Sequence, residues 1–91
     1  MKVFVKNIKD TADCMPPKGY SSWEEYWESK TGRRFGYCAC LTCNRRAEVG
    51  GHVKRIDRPA GCYITPLCSK CNHYTKEDSF CVDDADLVPA R

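Results

Sequence analysis

The 91 residues contain no apolar run near the roughly 20 residues that a membrane-spanning helix needs. They also lack the unbroken apolar core of a secretory signal, because "MKVFVKNIKD" interleaves lysines with its apolar residues. No internal repeat, linker or low-complexity tract divides the chain. These absences predict one domain over residues 1–91, cytoplasmic, away from membrane and with its thiols reduced. An excess of one sign of charge is also lacking, since the formal net charge is only +3. Such a value names no partner by itself.

Cysteine is the exception, with eight residues. A chain this short buries too little surface for its core alone to make it robust, so a staple is expected. Cys40-x-x-Cys43 and Cys68-x-x-Cys71 are two such pairs, 24 residues apart. A tight turn offers both thiolates of a pair to one tetrahedral ion at about 2.3 Å, and two turns close a structural zinc site. Cys38 is an alternative to Cys40 through a longer chelate loop, and two-residue spacing favours Cys40. Cys14, Cys38, Cys62 and Cys81 remain, either as small buried hydrophobes or as a second zinc site.

Around these pairs the pattern predicts a small α+β fold. Residues 2–8 alternate as a strand, with Val3 and Val5 on one face and Phe4 on the other. "SSWEEYWESKTGR" predicts an amphipathic helix capped by Ser21, with Glu24 completing a capping box and the helix ending near Gly32. Its stripe of Trp23, Tyr26 and Trp27 is read as core. "AEVGGHVKRI" predicts two extended pieces about a Gly50-Gly51 turn that needs positive φ, and "CYITPL" predicts another strand. "SKCNHYTKED" predicts a short helix, with Asn72 as a cap, His73 on its surface and Tyr74 as a packing residue. Leu87 and Val88 predict a last apolar edge that Pro89 terminates.

The cations cluster. Eight Lys and Arg fall between Lys30 and Arg58 against Glu48 and Asp57, whereas the tail from Lys76 is acidic. Arg33, Arg34, Arg45, Arg46, Lys54, Arg55 and Arg58 are therefore the candidate contacts to nucleic-acid phosphates, DNA or RNA.

"CACLTC", "GGHV", "CYITPLC" and "CSKCNHY" together resemble the treble-clef zinc domain of HNH endonucleases, over about residues 38–77. The resemblance implies a ββα unit around a structural zinc on Cys40, Cys43, Cys68 and Cys71. It also implies His52 as general base on the attacking water, with Asn72 helping to hold a catalytic magnesium or manganese. Gly51 stands where the family places a metal-binding Asp, and Tyr63 about where it places an Asn, so the catalytic motif is degenerate. His73 or Asp57 would have to replace what is missing. A histidine held structurally at 52 fits the same residues. Three functions follow: a non-catalytic nucleic-acid-binding module, a protein-interaction adaptor, or an active HNH-type nuclease. A monomer is expected for each.

Overall fold

The computed structural model describes residues 1–9, 14–73 and 76–90. Tyr74 lies outside them. The elements in order are strand β1 (Lys2–Asn7), helix α1 (Trp23–Thr31), strands β2 (Val49–Arg55), β3 (Tyr63–Leu67) and β4 (Phe80–Asp83), a 3-10 turn at Asp84–Asp86, and strand β5 (Val88–Pro89). The strands make one sheet ordered β4-β1-β2-β3-β5, with every pairing antiparallel.

Because side chains alternate along a strand, this sheet builds a separate core on each face. On one face Val3, Val5, Val53, Leu67, Phe80 and Val82 are buried together with Cys38, Ala39, Cys40, Cys68 and Cys71. On the other, Ile64 and Val88 meet Tyr26 and Trp27 of α1. Full burial of one such aliphatic side chain stabilises by about 1.5–3 kcal/mol.

The aromatic stripe of α1 is core, as its spacing predicted, and its polar atoms are satisfied. Tyr26 Oη donates to Pro89 O at 2.7 Å, and Trp27 Nε1 donates to Asp86 O at 3.0 Å. Those two bonds tie the helix to the C-terminal segment. The cap is one residue later than expected: Ser22 accepts from Glu25 N at 3.0 Å, while Ser21 Oγ donates to the Glu25 carboxylate. Gly32 closes the helix with φ of 71°, the left-handed conformation that favours glycine.

Two expectations fail. Gly50 and Gly51 make no turn, since both lie inside continuous β2 and neither has positive φ. Close packing explains them instead. A Cβ on Gly50 would sit 2.8 Å from Trp23 Cβ, and one on Gly51 would collide with Leu67 and lie 2.8 Å from Asn72 Oδ1. The segment after Cys68 is not a helix in its described part: residues 69–72 form turns, with Asn72 N donating to Cys68 O at 3.0 Å. Among the described residues that is the one i→i−4 bond there, so the stretch serves as a thiol-bearing turn. Strand β4, which is not among the strands expected above, completes the sheet by pairing with β1 and buries Phe80 and Val82.

Candidate metal centre

The first thiol-bearing segment is a small hairpin. Tyr37 bridges Arg46, Cys38 N donates to Arg45 O at 2.9 Å, and Cys43 N donates to Cys40 O at 2.9 Å. Ala39 N donates to Pro66 O, and Leu41 N to Cys81 O, so the hairpin is bonded to both β3 and β4. The second segment turns at the end of β3. There Cys71 N donates to Cys68 Sγ at 3.4 Å, and Ser69 N donates to the Glu48 carboxylate at 2.8 Å. Asn7 Nδ2 donates to Cys71 O at 2.7 Å, which fixes this turn to β1.

These contacts bring Cys38, Cys43, Cys68 and Cys71 together, with all four sulfurs within 4.8 Å of one another. Cys43 Sγ and Cys68 Sγ are 3.8 Å apart. A tetrahedral ion with metal–sulfur bonds of about 2.3 Å sets sulfurs roughly 3.8 Å apart, so the donor set fits a structural ion. The cluster contains Cys38 in the place expected for Cys40. Cys40 is buried in the same core, but its Sγ lies against Thr42 Oγ1 at 3.4 Å and outside the cluster. Among the described residues, Cys14, Cys40, Cys62 and Cys81 form no second cluster.

Burial pushes the Cys38 and Cys71 thiols up. Burial pushes Cys68 up as well, but hydrogen bonds, led by the Cys71 backbone N–H, outweigh it and leave this thiol at about 7. A divalent ion would bind the four sulfurs as thiolates.

The residues proposed for catalysis do not meet. His52 is on β2 with its ring edge-on to Trp23, centroids 4.9 Å apart, and is only 8% exposed. Its Nε2 has no hydrogen-bond partner, and burial pulls its imidazole below the usual value. Asn72 reaches over Gly51, the neighbouring position, and successive strand residues face opposite sides of a sheet. The sheet therefore stands between His52 and Asn72. His73 is exposed and lines an open depression with Ser69, Lys70 and Lys76. Asp57 is bound to Arg55 through two hydrogen bonds of 3.0 and 2.8 Å, and that guanidinium holds its carboxyl below the usual range. Tyr63 packs against the thiol-side core.

The seven candidate phosphate contacts divide. Arg33 stacks on Trp27 and pairs with Asp86 at 2.8 Å, so it braces the helix, and Arg55 holds Asp57. Arg34, Arg45 and Arg58 are exposed, and Arg46, also exposed, lies 5.9 Å over the ring of Tyr37. Lys54 stands directly across the β1–β2 ladder from Lys6, a residue the charge count overlooked because it lies far from Lys54 in the chain. No helix among the described residues is long and apolar enough to cross a membrane. No protein-family model, curated protein or solved structure matches the chain.

Proposed function

We propose that this protein is a zinc-stapled, non-catalytic module that binds nucleic acid. Four thiolates select zinc or iron, and zinc needs no redox partner. Cys38, Cys43, Cys68 and Cys71 would hold the ion, whose role is to lock the two turns onto the sheet. A degenerate HNH-like treble clef is the ancestry we infer, and the β2–β3 hairpin between two cysteine pairs supports it.

The observation that carries the binding reading is the Lys6–Lys54 pair. Ile8 N donates to His52 O and Ile56 N to Phe4 O, which makes Lys6 and Lys54 a hydrogen-bonded cross-strand pair with Cα atoms about 5.5 Å apart. Like charges facing each other there are destabilising, and a bound phosphate removes that cost. With Lys9 and Lys76 they line a shallow cavity of about 300 Å³, whose one acid, Glu77, is paired with Lys9.

Against catalysis stand the burial of His52 behind Trp23 and the lack of room at Gly51 for the Asp that a hard cation requires. The test is fluorescence anisotropy of the zinc-loaded protein with labelled oligonucleotides across a salt series. Affinity should fall steeply with salt, and the double variant Lys6→Gln/Lys54→Gln, which removes one phosphate contact, should flatten the log–log slope by about 0.7 to 0.9. Salt-independent binding, or none at low salt, refutes the reading. Plasmid nicking with magnesium or manganese that His52→Ala abolishes would establish the nuclease instead.

A further inference from the structure

Helix α1 covers β2, β3 and β5 and leaves the same face of β1 and β4 open among the described elements. On that open face Phe4 is 59% exposed. Its cross-strand neighbours are Cys81 on β4 and Ile56, itself 47% exposed, beyond the end of β2. Two residues along β1 on the same face is Lys6, opposite Lys54. Residues two apart on a strand are about 6.7 Å apart, so a flat aromatic ring lies one short step from a paired positive charge.

A large aromatic in the middle of a strand normally faces a core. Here the core lies on the other face, filled by Val3 and Val5, so Phe4 contributes nothing to it. The charge on this face is polarised. At the Lys6 end Lys6, Lys9, Lys54 and Lys76 face one cavity, whereas at the other end Lys2 stands opposite Asp83, and the N-terminal amine pairs with Asp83 and Asp84. Beside Phe4 a second shallow cavity, about 320 Å³, is bounded by Ile56 and by the mutually paired Arg55 and Asp57.

We infer that this open face is a single-strand-specific site, in which a base stacks on Phe4 while the adjoining phosphate sits between Lys6 and Lys54. This rests on the nucleic-acid-binding reading and narrows it. A duplex hides the faces of its bases, so only an unpaired strand offers a base to Phe4 and a phosphate to the lysines together. Stacking accepts any base, so the site should show little sequence preference.

The experiment compares the zinc-loaded wild type with Phe4→Ala and Phe4→Trp for binding labelled dT12, rU12 and a 12-base-pair duplex at low salt. Because Phe4 is exposed, all three proteins should share one urea midpoint, which checks the fold. Wild type should prefer single strands of either sugar, Phe4→Ala should weaken that binding roughly 5- to 150-fold with the duplex unchanged, and Phe4→Trp should restore it. If Phe4→Ala binds dT12 and rU12 like wild type, or if wild type prefers the duplex, this inference fails while salt-dependent binding stands. If none of the three probes binds, the inference and the proposed function fail together.

Discussion

Replacing Cys38 or Cys40 by Ser separates the ligand from its buried neighbour. Cys38 Sγ belongs to a group of four sulfurs within 4.8 Å, one edge of which is already 3.8 Å long. Cys38→Ser should therefore remove one thiolate and release the ion. An ion that binds only the folded state at 100 to 1,000 times its Kd stabilises it by about 2.7 to 4.1 kcal/mol. In a domain of this size each kcal/mol moves Tm by about 4–8 °C, so the loss should be roughly 10–30 °C. Cys40 is equally buried, but its sulfur lies against Thr42 Oγ1 and is not one of the four clustered sulfurs. Cys40→Ser should keep the ion and cost about 1 kcal/mol, because the new hydroxyl retains a partner. Native mass spectrometry of the reduced proteins, with and without chelator, counts the ion, and thermal unfolding by circular dichroism reads the stability. Chelator should lower Tm in wild type and Cys40→Ser and leave Cys38→Ser unchanged. An ion retained by Cys38→Ser and lost from Cys40→Ser would refute the assignment.

Three further outcomes are expected. His52 is buried with its pKa pulled down, so it is neutral when folded and binds a proton more readily when unfolded. Its contribution is complete above the unfolded value near 6.5 and is lost as pH falls through the depressed folded value, so urea midpoints should drop from pH 7.5 to 5 more in wild type than in His52→Gln. Gly51→Asp should destabilise by at least about 1–3 kcal/mol in urea, since its Cβ meets Leu67 and Asn72, and should confer no nicking of plasmid DNA. Arg33→Ala should lower Tm through the loss of its Trp27 stacking and Asp86 pairing, yet leave oligonucleotide affinity unchanged within about twofold.

What the sequence determined by itself was mostly local. The period of Trp23, Tyr26 and Trp27 announced α1, the glycine at 32 announced its end, alternation announced β1, and β-branched and aromatic residues announced β3, because these signals come from neighbours in the chain. It also announced that Cys43, Cys68 and Cys71 would come together as candidate ligands. Tertiary structure decided the fourth sulfur of that cluster. Cys38 and Cys40 are two residues apart, and only the hydrogen bonds of their hairpin to β3 and β4 turn Cys38 toward the second pair. The same holds for Gly50 and Gly51, which looked like a turn until Trp23, Leu67 and Asn72 closed over them from distant parts of the chain. His52 and Asn72 suggest a pair as a motif, and the sheet sends them to opposite faces. Lys6 and Lys54 suggest nothing as a motif, and antiparallel register sets them side by side, since charge proximity across a ladder depends on pairing that no local stretch encodes.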